Sequence, residues 1–230
     1  MTNGSYSPAI DKHEAIERIR LEKQASVAEQ EEIAFLRSIG LRPGIRVLDL
    51  GCGTGSMSCR LAFEVEHGTV VGVDADPRIM SMNSGISNLS FIQGRAGSLS
   101  FPNESFDFIY ARFLLQHVPD SSEVVIDAAS KLVEKGTLAL MDTDDSFFTL
   151  EPADSELEDL MEEARETQMK LGGDRRIGRK LPGLIAEAGL CLSSCRVRIF
   201  TSTEMRFETI FHLATGFKAA LLDKTKQFTA

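Results

Sequence analysis

The residues best suited to chemistry lie in one run, Val47-Leu48-Asp49-Leu50-Gly51-Cys52-Gly53-Thr54-Gly55. An apolar strand reaches glycines spaced G-x-G-x-G. Glycine lets the backbone take positive φ and approach a bound molecule closely. The spacing departs from the G-x-G-x-x-G that seats a pyrophosphate at a helix start. Asp49 points the same way, because an acid two residues before the first glycine repels a pyrophosphate and suits a ligand carrying an ammonium group. A second acid, Asp74, closes the run Val70-Val71-Gly72-Val73.

These acids need strands to deliver them, and the hydrophobic pattern supplies them. Arg46–Leu50, Thr69–Asp74, Leu89–Gln93, Phe106–Ala111 and Thr137–Asp142 read as short buried strands. Helices are expected between them at Ser56–Glu66, Pro77 to about Met82, and Ser122–Glu134. Such alternation implies right-handed crossovers and a parallel sheet covered on both faces. Ahead of the core, residues 11–39 read as one long or two shorter amphipathic helices, with a capping box at Asp11 and Glu14 and a stop at Gly40. Behind it, residues 142–166 are strongly acidic and hold a helix that starts with a capping box at Ser155 and Glu158. Leu157, Leu160, Met161, Ala164, Gln168 and Leu171 line one face of that helix. A basic, glycine-rich stretch follows. A helix at Leu181–Ala188, a strand at about Leu190–Thr201 and a last amphipathic helix from Phe207 to Leu221 complete the reading.

VLDLGCGTG resembles the first motif of the class I S-adenosylmethionine-dependent methyltransferases, particularly their small-molecule, type 11-like members. The resemblance implies a Rossmann-like, doubly wound, mostly parallel α/β sheet with N-terminal helices and a helical insertion after the fifth strand. It implies a loop around Asp49, Gly51 and Gly53 that cradles the methionine and ribose of S-adenosylmethionine. Asp74 would accept both ribose hydroxyls, which one carboxylate fork satisfies together. Ala75 and Met80 would lie beside the adenine. The family's third motif carries an acid near the adenine amine where this chain has Arg95, leaving the backbone N–H of Ala96 to serve the adenine. Ala111 and Arg112 would stand at the cofactor-facing end of the fourth strand. The likeness is strong over residues 40–142 and looser elsewhere. Arg20 and Gln24 sit in a stretch similar to a helix ahead of the fold in small-molecule members.

The expected organisation is a helical lid over residues 1–40 and a cofactor-binding core over 41–142. A substrate cap with its following helix spans 143–189, and a last strand and helix span 190–230. No strand is foreseen after Thr201, so the sheet would lack the hairpin in which the family sheet normally ends. The resulting open edge invites homo-oligomer contacts.

The reaction expected is in-line methyl transfer to the oxygen, nitrogen or carbon of a small molecule, with S-adenosylhomocysteine as product. His117 follows the fourth strand and is a candidate general base, its ordinary pKa being about 6.5. Asp142, Asp144 and Asp145 cluster after the fifth strand, but the acid a magnesium site would need after the fourth is replaced by Ala111 and Arg112, so no metal is expected. Tyr110-Ala111-Arg112-Phe113 replaces the Pro-Pro-aromatic motif of adenine-amino methyltransferases. A net charge of −9 argues against nucleic acid as the main partner. No apolar run approaches the roughly 20 residues that span a bilayer. No signal peptide is read, and Cys52, Cys59, Cys191 and Cys195 read as reduced thiols, which together suggest the cytoplasm. The same cofactor site also suits a protein methyltransferase, a cofactor-dependent cyclase or a non-catalytic binding protein.

Overall fold

The structure, a computed structural model, describes residues 29–76 and 85–204, together with 206, 207, 209–211 and 214. Five strands form one all-parallel sheet: β1 (Arg46–Leu50), β2 (Thr69–Asp74), β3 (Leu89–Gln93), β4 (Phe106–Arg112) and β5 (Leu132–Met141), in the order β3-β2-β1-β4-β5. The reversal of strand order beside β1 opens a crevice at the carboxyl ends of β1, β2 and β4, where ligands of open α/β sheets bind.

Alternation along β1 assigns its two faces. Leu48 and Leu50 join a core with Val124, Val125 and Ala128 of helix α3 (Ser121–Ser130) and Leu184 of helix α5 (Leu181–Glu187). Val47 joins the opposite core, with Ile33 and Leu36 of α1 (Glu29–Ser38) and Met57 and Leu61 of α2 (Ser56–Glu64). Asp49 shares that second face by the period-2 rule, which brings it to the first turn of α2. Helix α4 (Ser155–Lys170) lies in the insertion after β5 and buries Met161, Ala164 and Gln168.

Several expectations change. The strand expected at Leu190–Thr201 is absent: the segment pairs with no strand, and residues 191–199 are exposed. Its arginines engage α1 instead, Arg198 with Glu31 at 3.1 Å and Arg196 over the Phe35 ring at 4.6 Å. Side-chain anchoring replaces a hydrogen-bonded ladder, and β5 is the outer strand of the sheet among the described residues. Helix α3 stops at Ser130, and β5 begins at Leu132 rather than Thr137. A register shift between Phe106 and Phe108, with Lys135 at φ 65°, absorbs the residues that read as a helix end. Asp154, not Ser155, caps α4, accepting the Leu157 N–H at 3.1 Å. The capping box at Asp11, the helix at 77–82, Arg20, Gln24 and Met80 lie outside the described residues. Of the last helix, residues 207, 209–211 and 214 are described, and they are helical. Among the described residues no helix is long and apolar enough to cross a membrane.

The turn from β1 into α2 depends on Gly55, which caps the helix at φ 78°. A Cβ built there comes 2.5 Å from the Phe91 Cζ atom. Gly55→Ala combines a left-handed backbone with a ring clash and should cost about 1–3 kcal/mol. Urea unfolding checks this, and an unchanged midpoint would show that the turn tolerates a side chain.

Candidate active site

The crevice is built on the end of β2. The N–H groups of Gly51 and Cys52 both donate to the Val73 carbonyl, at 2.7 and 3.0 Å. The Gly53 N–H donates to Asp74 Oδ2 at 2.9 Å, and the Asp76 N–H to Oδ1 at 2.9 Å. The glycine loop is therefore tied directly to the second acid. Gly51 and Gly53 hold positive φ, 74° and 52°. A Cβ at Gly51 would strike Leu114 at 2.9 Å, whereas at Gly53 it would meet nothing within 4 Å. The loop's outer surface at Gly53 is open space that a ligand can approach.

Asp49 lies beneath this loop, only 2% exposed, and accepts the Ser58 hydroxyl at 2.5 Å. Burial pushes its carboxyl up to about 7, against the Ser58 hydrogen bond and the Arg112 charge, which lower it. The Asp74 charge adds to the rise. Burial also raises the Asp74 carboxyl, partly offset by the N–H groups of Asp76 and Gly53. Two acids thus share one low-dielectric pocket. Each would be stabilised in its charged form by a nearby cation.

Asp49, Gly51, Gly53, Asp74, Ala75, Arg95, Ala96, Arg112 and His117 all border one cleft, whereas Ala111 is buried in the core beside it. Their settings differ. Ala75 and Arg95 are exposed at its rim, Ala96 is half-buried against the core, and the Ala75 carbonyl accepts from Gln93 Nε2 at 3.2 Å. Arg112 pairs with Glu32 of α1 at 3.1 Å and stacks on Phe113 at 4.8 Å. Tyr110 donates its hydroxyl to the same Glu32 carboxylate. Sequence reading missed Glu32. The signal was an acid four residues before Leu36, on the helix face that carries the buried apolar residues.

A second missed group joins the tips of β4 and β5 to the insertion. Gln116, 2% exposed, donates its backbone N–H to Asp142 Oδ2 at 3.1 Å, and its Oε1 accepts from Arg175. Arg175 holds Asp145 through two bonds, at 2.9 and 3.1 Å. Arg179 holds Asp144 likewise, at 2.6 and 3.1 Å. The acids that leave β5 are therefore bound to the basic stretch after α4. Among the described residues no group of three or more His, Cys, Asp or Glu side chains is arranged to hold a metal ion. His117 ends a one-turn 3₁₀ helix, Leu115–His117, half-buried at the cleft, with its Nδ1 facing Gln168 Nε2 at 3.4 Å. Gln168 was visible in the sequence as a polar residue on an apolar helix face. All four cysteines named above are free thiols.

Residues 41–189 match the model of a family described as a methyltransferase domain. The chain belongs to that family, the class I S-adenosylmethionine-dependent methyltransferases. The uncharacterized methyltransferase YcgJ of Bacillus subtilis (strain 168) is 34% identical over 122 residues, covering 50% of this chain and 47% of that protein. A demethylmenaquinone methyltransferase of Listeria welshimeri is 31% identical over 115 residues, 47% of this chain and 49% of that one. The chain spans about half the length of the curated relatives it matches. A SAM dependent methyltransferase from Aquifex aeolicus, solved by crystallography, shares the fold with a TM-score of 0.58 at 17% identity, over 77% of this chain and 90% of that one.

The buried acids set a pH dependence. Asp49 and Asp142, both pushed up to about 7 chiefly by burial, keep their protons in the folded chain after the unfolded chain has released its own near pH 4. The folded state binds more protons across that interval, so their contribution to stability falls as pH rises through it. Asp107, held below the ordinary carboxylate range by Arg46, loses its contribution only below about pH 4, outside the window. Asp49→Asn should therefore lose less stability than the parent chain between about pH 5.5 and about pH 8. Urea unfolding at the two values measures this, and equal losses would show that Asp49 does not titrate there.

Proposed function

We propose that the protein transfers the methyl group of S-adenosylmethionine to a small-molecule acceptor. The observation that carries this reading is the pair of carboxylates, Asp49 buried and Asp74 half-buried, beside one glycine loop with open space at Gly53. The donor set fits the cofactor. Asp74 uses its two oxygens for two backbone N–H groups and retains lone pairs for a ribose diol, since a carboxylate offers about four acceptor sites. Asp49 lies beneath the loop, where a cationic ligand would stabilise its charged form. The exposed backbone at Gly53 permits close approach. Ala75 and Ala96 would border the adenine.

S-adenosylmethionine supplies a methyl group on a sulfonium, already activated for displacement. The chain's task is to hold the acceptor in line and keep water out, and orientation of this kind supplies on the order of 7–11 kcal/mol. The insertion supports a small acceptor. Phe147 and Phe148 border the cleft, and the Asp144–Arg179 and Asp145–Arg175 pairs tie that segment to the basic stretch after α4. The demethylmenaquinone methyltransferase relative makes a hydroquinone a sensible first acceptor.

Calorimetry with S-adenosylmethionine tests the cofactor, and release of S-adenosylhomocysteine across hydroquinone, phenol and amine acceptors tests the reaction. A chain that binds no S-adenosylmethionine overturns the proposal. Asp74→Ala removes the ribose acceptor and should weaken binding by about 10–100-fold. Unchanged affinity would place the ribose elsewhere.

A further inference from the structure

The turn that ends β4 holds a bulky residue in an unfavourable conformation. Among the described residues, four other than glycine have positive φ: His67, Glu104, Lys135 and Phe113. The first three are polar and exposed. Phe113, at φ 53°, is apolar and half-buried. A left-handed backbone costs free energy in any residue with a Cβ, and glycine or asparagine would serve a plain turn better. Yet both backbone groups of Phe113 are held in place. Its N–H donates to the Met141 carbonyl at 2.8 Å, and its carbonyl accepts from Gln116 Nε2 at 3.3 Å. Strain that the surroundings over-determine in this way gathers at functional sites.

Core packing does not account for the ring, because Phe113 belongs to neither hydrophobic core. The Arg112 guanidinium lies over the ring, 4.8 Å from its centroid, and the residue borders the cleft. The next residue, Leu114, lies against the glycine loop: a Cβ on Gly51 would come 2.9 Å from Leu114 Cδ1. Phe113 thus stands where the glycine loop meets the acceptor side of the cleft. Phe147 and Phe148 of the insertion border the same cleft, and they too lie outside both cores. Aromatic side chains bordering a cleft without joining a core suit a flat ligand, since rings stack on one another in offset.

We propose that Phe113 is a specificity-determining residue: the strained turn holds its ring at the cleft so that a flat, aromatic acceptor stacks on it beside the methyl donor. The proposal rests on the methyl-transfer reading and narrows its acceptor to a phenol or hydroquinone ring in preference to an aliphatic alcohol or amine. Arg112 takes one face of the Phe113 ring, and the acceptor takes the other.

Calorimetry on the full chain with 1-naphthol and its saturated counterpart, decahydro-1-naphthol, tests this in the presence of S-adenosylhomocysteine. The unmodified chain should bind 1-naphthol more tightly. Phe113→Leu keeps an apolar side chain without the ring face, and should weaken 1-naphthol by about 3–10-fold while leaving the saturated alcohol unchanged. Phe113→Tyr should keep the preference. No preference in the unmodified chain, or a 1-naphthol affinity that Phe113→Leu leaves unchanged, overturns the proposal. Urea unfolding separates strain from packing. Phe113→Gly relieves the backbone, so its midpoint should lie at or above that of Phe113→Leu. The reverse order would make the ring a packing element and also overturn the proposal. A chain that selects 1-naphthol through Phe113 yet binds no S-adenosylmethionine would refute methyl transfer while leaving the role of the ring standing.

Discussion

The fold is organised around the cost of placing two carboxylates side by side out of water. Asp49 and Asp74 end adjacent strands of a parallel sheet, and each would prefer to be neutral where it stands. The protein meets that cost with donors. Asp74 takes backbone N–H groups from the glycine loop and from Asp76. Asp49 takes the Ser58 hydroxyl at the first turn of α2, where the helix dipole also favours negative charge. Arg112 supplies a cationic field at Asp49 while paired to Glu32, which ties α1 to the same arrangement. A ligand that brought its own positive charge would offset that cost.

The acceptor side of the cleft follows a different logic. There polar groups of the strand tips and the insertion bond one another. Gln116 receives bonds from Arg175 and Gln168 and gives one to Asp142, which joins the tips of β4 and β5 to the insertion. Arg175 and Arg179 each hold an acid from the segment after β5 in a two-bonded fork, the geometry that fixes orientation as well as distance.

Much of the core was legible because its signals are local. The boundaries of β1, β2 and β3 agree with the sequence pattern residue for residue, since apolar runs ending in glycine or an acid leave little choice of register. The segment Leu190–Thr201 has the same β-type composition yet forms no strand. A strand needs a partner edge, and composition carries no information about whether one is presented. The extension of β5 back to Leu132 was hidden for the same reason, because a bulge is a property of the pairing with Phe106 and Phe108.

The sequence by itself determined the glycine turn, both acids and the order of the elements, because each depends on backbone conformations and periodicities that neighbouring residues impose. Tertiary structure alone decided which side chains the acids meet. Glu32 reaches Arg112 across 80 positions of chain, and Gln168 reaches His117 across 51. Such pairs arise from packing one face of a helix on a strand tip, and no local pattern records which polar residue will lie opposite which. The glycine loop is therefore written in a motif, while the surroundings of His117 are written only in the fold.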